Sequence, residues 1–311
     1  MDNPLRGRDL LSLADLTPAE LGQVLSAAQA QKLAWSRGNR TAPLSGKSVA
    51  LIFQKPSMRT RVSFEIACVR LGAHPVVMSG NDSAFSRSES VYDTTKVLER
   101  YCDAIVIRTF EQSMVEEIAE VASIPVINAL TDDHHPCQGL ADLLTIQEHL
   151  KRLAGVKIAY VGDGNNMANT YLLGGALAGM SVSIATPVGF ETSTAVVAQA
   201  AAIAEQTGGR VAVTTDPAEA VAGADVVITD TWASMGQEAE HDARLAAFAP
   251  YRVDTALMAH AADGALFMHC LPAHRGEEVV DAVIDAPYSV VFDEAENRLH
   301  AQKALLSLVL G

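Results

Sequence analysis

Short apolar runs recur along the whole chain, and helical periodicity fills nearly every interval between them. The runs predict strands at 48–53, 75–78, 103–107 and 124–128, then at 156–161, 182–185, 210–214, 225–229 and 265–269, with a further one at 289–292. Helical spacing covers 60–71, 165–179, 193–206 and 276–285. A strand with an unbroken apolar run must be covered on both faces. A strand–helix–strand order supplies that cover and demands parallel sheets. The expected fold is therefore α/β, in two domains, each a parallel sheet flanked by helices. The helical run Cys137 to Leu153 bridges the two strand series and places the division near residue 150, giving 1–149 and 150–294. The last helix, within 295–311, has apolar spacing suited to packing and is expected to return to the first domain. A chain of 311 residues has room for both cores.

In open parallel sheets ligands sit beyond the carboxyl ends of the strands, so polar residues placed there are the functional candidates. Ser57-Met58-Arg59-Thr60-Arg61 follows the first strand after a Lys55-Pro56 turn and opens a helix. A helix N-terminus presents unpaired N–H groups and the positive end of the peptide dipole, and arginine forks match phosphate or carboxylate oxygens. The run lacks the glycines and terminal Lys-Ser/Thr of a nucleotide P-loop, so it points to a small phosphorylated substrate. A capped surface helix with solvated arginines accounts for the same five residues. With 37 acidic against 23 basic side chains the net charge is −14, which argues against nucleic acid or an anionic membrane as partner. Residues 1–8 carry no apolar signal core, and no apolar run reaches membrane-spanning length. The four cysteines, Cys68, Cys102, Cys137 and Cys270, are scattered and fit no disulfide framework. A cytoplasmic protein with reduced thiols is expected.

Other strand ends carry unusual polar groups. Arg108 follows 103–107, as a surface residue or one aimed at the strand-end cleft. His134-His135-Pro136-Cys137-Gln138 opens the bridging helix, where a protonated or hydrogen-bonding histidine beside a glutamine suits polarisation of a carbonyl. Zinc would need a second ligand pair, for which His269-Cys270 is the candidate, and adjacent residues seldom ligate one ion together. Gly162-Asp163-Gly164-Asn165-Asn166 is an incomplete dinucleotide fingerprint, with Met167 where the third glycine belongs and no acidic residue closing 181–185. Asn165 and Asn166 fit a carboxylate or amide better. Asp230, at the start of Asp230-Thr231-Trp232-Ala233-Ser234-Met235-Gly236, suits an ammonium group. Cys270, in His269-Cys270-Leu271-Pro272, reads as nucleophile or inert packing. Arg298 adds a cation at the start of the last helix.

Together these segments resemble the aspartate/ornithine carbamoyltransferase family. Ser57 through Arg61 is similar to the family's Ser-Thr-Arg-Thr-Arg motif, and His135-Pro136-Cys137-Gln138 to its His-Pro-x-Gln element. Asp230 through Gly236 resembles Asp-x-x-x-Ser-Met-Gly, and 269–272 resembles His-Cys-Leu-Pro; both belong to the ornithine branch. The resemblance implies transfer of the carbamoyl group of carbamoyl phosphate to the δ-amino group of L-ornithine, giving L-citrulline and phosphate, in arginine biosynthesis or catabolism. It implies that no metal and no cofactor takes part, and that the chain forms a homotrimer, or a multiple of trimers, with shared active sites. Residue by residue, it implies that Ser57, Met58 (through its backbone), Arg59, Thr60 and Arg108 hold the phosphate. His135, Gln138 and Thr60 or Arg59 polarise the carbonyl. Cys270 and Leu271 lie where the two substrates meet, their backbone carbonyls accepting from the carbamoyl NH2, and Arg298 reaches the same region. Asn166 takes the ornithine carboxylate, Asp230 its α-ammonium, and Ser234 and Met235 add contacts. Two departures stand out. Met58 replaces a threonine, and Ala84 stands where many members carry a glutamine in the loop that reaches a neighbouring subunit, with Arg87 as a substitute. Rival readings are a sibling acting on putrescine or an acylated ornithine, a nicotinamide dehydrogenase, and a non-catalytic homologue; Arg59, Arg108, His135 and Cys270 count against the last.

Overall fold

The computed structural model describes residues 3–79, 85, 89–233 and 241–311. They form two compact units, 1–144 with 296–311, and 145–295. The first carries α1 (Pro18–Ser36), β1 (Ser48–Phe53), α2 (Met58–Leu71), β2 (His74–Ser79), α3 (Val91–Tyr101), β3 (Ala104–Arg108), α4 (Gln112–Val121), β4 (Val126–Leu130) and the start of α5 (Pro136–Leu150). Its sheet runs β2-β1-β3-β4, every pair parallel. β1 is central, and Val49, Ala50, Leu51 and Ile52 are fully buried, as an unbroken apolar strand requires.

Local chemistry sets the helix bounds. Thr17 and Glu20 cap α1 reciprocally, with Pro18 at its first position. The Ser57 hydroxyl accepts from the Thr60 N–H at 3.2 Å and starts α2; Gly72, at φ 81°, ends it. The inward face of α2 is Thr60, Phe64, Ala67, Cys68 and Leu71, a helical spacing that closes over the sheet. Burying a side chain such as Phe64 contributes about 1.5–3 kcal/mol.

The second unit carries β5 (Lys157–Val161), α6 (Asn166–Leu177), β6 (Ser181–Ala185), α7 (Thr194–Thr207), β7 (Arg210–Thr214), α8 (Pro217–Val221), β8 (Val226–Thr229), α9 (His241–Phe248), α10 (Thr255–Met258), β9 (Leu266–His269) and α11 (Asp281–Ile284). The sheet order is β7-β6-β5-β8-β9, again all parallel. Every residue of α6 from Met167 to Leu177 is buried, so this helix is apolar all round rather than striped. A Cβ on Gly175 would lie 2.4 Å from Val182 Cγ2, so glycine is what lets α6 press onto the sheet. α12 (Val291–Leu310) belongs to the first unit from Glu296 onward. There Asn297 accepts from Lys32 Nζ at 2.8 Å, Ser307 from Gln31 Nε2 at 2.7 Å, and the Val309 carbonyl from the Gly7 N–H at 2.9 Å. The expected return of the last helix is therefore present.

The other nine expected strands lie within two residues of β1–β9. Two expectations fail. No strand forms over 289–292: Ser289 makes a single bridge with Phe267, and Val291 already begins α12. A short β-branched run beside a long helical pattern is ambiguous by periodicity, and the helix won. The helix expected over 276–285 shrinks to α11, because Gly276 takes φ 91° and Val279 bridges Val253 and Arg275. Among the described residues no helix is long and apolar enough to cross a membrane.

Candidate active site

In the first sheet the chain leaves β1 toward β2 on one side and returns through β3 to the other. The strand order reverses at β1 and β3, which opens a crevice at their carboxyl ends. Two candidates stand there. The α2 N-terminus follows β1, and Arg108, which is buried, ends β3 in register with Phe53. The Gln54 N–H donates to the Arg108 carbonyl at 2.9 Å and ties the two ends together.

Arg298 organises the neighbouring groups. One guanidinium nitrogen donates to Thr60 Oγ1 at 2.8 Å and another to Gln138 Oε1 at 2.6 Å; Gln138 Nε2 donates in turn to Asp142 at 2.7 Å. All four residues are buried, so these bonds work in a medium of low polarity. His135 is buried too. Burial, then the charges of Arg298 and Arg108, hold its imidazole well below the usual histidine range. Of the two forms the sequence allowed, the neutral ring is the one present at pH 7, a hydrogen-bonding group rather than a cation. Cys137, between His135 and Gln138, is inert: burial pushes its thiol up to about 12, and it donates to the Asn128 carbonyl. Arg59 is half-buried in the first turn of α2, and Met58 beside it is 69% exposed.

The buried histidines predict an acid dependence. A base whose pKa falls on folding stabilises the native state fully above its unfolded value, and that contribution is lost as pH drops below about 6.5. His134 shifts the same way through burial. Asp163 acts oppositely. Burial raises its carboxyl to about 6 despite the Arg244 contact, so its contribution is lost as pH rises toward 6. The difference in unfolding free energy between the unaltered chain and His135→Gln should therefore shrink below pH 6.5, by up to about 1.4 kcal/mol per pH unit. Denaturant curves from pH 7.5 to 5.5 measure it; parallel stability profiles would contradict a neutral His135.

In the second sheet the order reverses at β5 and β8. The Gly162–Asn166 turn leaves β5 with Gly162 at φ 155°. A Cβ on Gly164 would come within 2.4 Å of the Glu191–Thr192 backbone, so that glycine permits a close approach of chain to chain. Asn165 caps α6, accepting from the N–H groups of Met167 and Ala168 at 2.9 and 3.2 Å. Its amide nitrogen donates across the crevice to Asp230 at 3.0 Å. Asp230, just past β8, also accepts from its neighbour's Thr231 N–H at 2.8 Å and from the Cys270 thiol at 3.1 Å. Asn166 occupies the first position of α6. Thus Asn165 is the cap of α6 and the anchor of Asp230, and Asn166 follows it at the first helical position.

His269, Cys270 and Asp230 gather their ligand-type atoms within 4.8 Å of one another. His269 is nevertheless committed elsewhere. Its Nδ1 accepts from the Leu271 N–H at 2.9 Å, and Nε2 faces Glu278 at 3.0 Å, so both ring nitrogens are engaged. The bond fixes Leu271 at φ 55°, a conformation a leucine holds only when its surroundings impose it. Several of these groups carried no signal in the sequence reading. Asp163 pairs with Arg244 at 2.8 Å, and that guanidinium also donates to the Trp232 carbonyl at 2.9 Å. Tyr160 donates to Asn165 at 3.2 Å. Lys55, buried, pairs with Asp132 and lies 4.3 Å over the Phe110 ring. Lys55 had a cue in its place in the turn after β1, and Asp163 and Trp232 in the strand-end runs that contain them; Arg244 and Tyr160 had none. Ser234, Met235, Ala84 and Arg87 lie outside the described residues.

Two reversal-point crevices, one crowned by a helix N-terminus with arginines and the other by an Asp–Asn–Cys cluster, define a two-substrate transferase architecture. The chain belongs to the aspartate/ornithine carbamoyltransferase family. Residues 8–148 match that family's carbamoyl-P binding domain, and 154–309 match its Asp/Orn binding domain. The ornithine carbamoyltransferase of Anoxybacillus flavithermus is 54% identical over 98% of both chains, and that of Pyrococcus abyssi is 51% identical over 99% of this chain and 97% of its own. The solved ornithine carbamoyltransferase from Pyrococcus furiosus superposes with a TM-score of 0.96 at 50% identity, over 99% of this chain and 98% of that one.

Proposed function

We infer that the chain catalyses carbamoyl transfer from carbamoyl phosphate to the δ-amino group of L-ornithine, with the first unit holding carbamoyl phosphate and the second holding ornithine. The observation that carries it is the Asp230 carboxylate, held by Asn165, Thr231 and Cys270 one helix position from Asn166. A carboxylate beside an amide donor matches the α-ammonium and α-carboxylate of a free amino acid.

In this reading Ser57, the Met58 backbone, Arg59, Thr60 and Arg108 bind the phosphate. Neutral His135, with Gln138 and Arg298, donates toward the carbamoyl oxygen. The neutral δ-amine attacks the carbonyl carbon, forming a C–N bond and a tetrahedral intermediate whose oxyanion those donors stabilise. The C–O bond to phosphate then breaks, and the leaving oxygen's charge is received by the arginines. The proton lost by the attacking nitrogen ends on the departing phosphate, and the products are citrulline and hydrogen phosphate. The backbone carbonyls of Cys270 and Leu271 are assigned to the carbamoyl NH2, and Ser234 and Met235 to the amino acid. Equal amounts of citrulline and phosphate from carbamoyl phosphate and ornithine test the reading. Phosphate released without citrulline would remove it.

We also propose a homotrimer, or a multiple of it, working in the cytoplasm. Apart from its buried face, α2 carries a second apolar stripe, Met58, Val62, Ile66 and Val69, exposed by 69, 51, 38 and 61%. An apolar stripe of this size on the helix that starts the phosphate site suits burial against another copy. The expected mass by sedimentation is a multiple of three chains; a monomer or dimer at micromolar concentration would contradict it.

A further inference from the structure

A cationic cluster on the first unit lies on residues that the reaction does not use. Trp35, in the last turn of α1, has three cations around its indole ring. The Arg40 guanidinium carbon is 3.7 Å from the ring centroid, that of Arg70 4.3 Å, and Lys303 Nζ 5.3 Å. Arg40 is held in place by the Trp35 carbonyl, to which it donates at 2.5 Å. Arg70 and Lys303 make no hydrogen bond and no ion pair among the described residues. Lys303 is only 6% exposed, so a nearly buried ammonium faces an aromatic ring and other cations. A ring face compensates a buried ammonium far less than an anion does.

The electrostatics agree. Burial and then the neighbouring guanidinium of Arg40 lower Arg70; burial, Arg70 and Arg40 lower Lys303. The carboxylate felt here is that of Glu296, which is 3.1 Å from His300 Nε2. In a chain with 37 acidic and 23 basic side chains, such a gathering runs against the background. Arg40 and Arg70 sit by the carboxyl ends of α1 and α2, where a cation balances the helix dipole. Lys303 sits in the interior of α12, where that account fails. The three groups converge on one ring, too compact a set for an extended acidic peptide and well matched to a phosphate, which takes paired bonds from guanidinium forks and a point charge from lysine. Arg70 lies twelve residues beyond Met58 on α2, about 18 Å along the helix from the catalytic phosphate motif.

We propose that Arg40, Arg70 and Lys303, gathered on Trp35, form a second anion site that binds a small phosphate-bearing ligand. The probe is inorganic diphosphate, titrated into the full chain carrying Trp232→Phe, which leaves Trp35 as the sole tryptophan. The expected result is a saturable change in Trp35 emission that survives Arg59→Ala and weakens by about tenfold or more in Arg70→Gln/Lys303→Met. Citrulline formation by that double variant, without added diphosphate, should match the unaltered chain. No saturable change, or one undiminished in the double variant, overturns the site. So does a response to polyglutamate but not to diphosphate, which would mark a protein-docking face, or a loss of melting temperature in the double variant with no anion dependence, which would mark a purely structural cluster. If the double variant does not fold, Lys303→Met alone is read in the same way. If Trp232→Phe does not fold, calorimetry of inorganic phosphate on the otherwise unaltered chain decides. Two phosphates per chain, falling to one in Arg59→Ala, support the site, and one falling to none overturns it.

Discussion

Arg59→Ala should lower kcat/KM for carbamoyl phosphate by about 10²–10³-fold while leaving the melting temperature nearly unchanged. Arg59 stands in the first turn of α2, where backbone N–H groups and the helix dipole already favour an anion. It makes no hydrogen bond or ion pair among the described residues, so its removal leaves no polar partner unsatisfied among them. That separates it from Arg298. Replacing Arg298 would leave Thr60 Oγ1 and Gln138 Oε1 without their donor in a buried setting and would cost stability as well as rate. Calorimetry with carbamoyl phosphate and a thermal scan check both halves of the prediction. Undiminished affinity in Arg59→Ala would move the phosphate away from α2.

Asp230→Asn should raise KM for ornithine by about 10²–10³-fold, because a neutral amide replaces the charge that receives an ammonium group. The substitution keeps the shape and sets a new N–H₂ group among donors, the Asn165 amide nitrogen and the Cys270 thiol, which now point at Asp230. KM for carbamoyl phosphate should change by less than about twofold, since that ligand is assigned to the other unit. Putrescine, which has no α-carboxylate and no α-ammonium, should be affected far less than ornithine. A uniform loss for all substrates would indicate a merely structural role for Asp230.

Much of this was legible in the chain. Unbroken apolar strands alternating with helices forced parallel sheets, and the strand-end rule then picked out the Ser57 run, Arg108, Asn166, Asp230 and Cys270. What could not be read depends on distance through space. The Asp163–Arg244 pair joins residues 81 positions apart, and the Arg298–Thr60 bond spans 238, so no local pattern announces either. The charge state of His135 was also out of reach, because it is set by burial and by two arginines far along the chain. The strand wrongly expected at 289–292 failed for a local reason. Its β-branched residues serve equally as the buried entry to α12, and the ladder offered them one bridge only.

Under the proposed function the second unit takes a free amino acid rather than any amine. A steady-state comparison of ornithine, acetylornithine and putrescine as acceptors, at saturating carbamoyl phosphate, separates the two. Ornithine should exceed both by about 10²-fold or more in kcat/KM, because each rival lacks or masks the ammonium proposed to bind Asp230. Equal or greater kcat/KM for putrescine would contradict it.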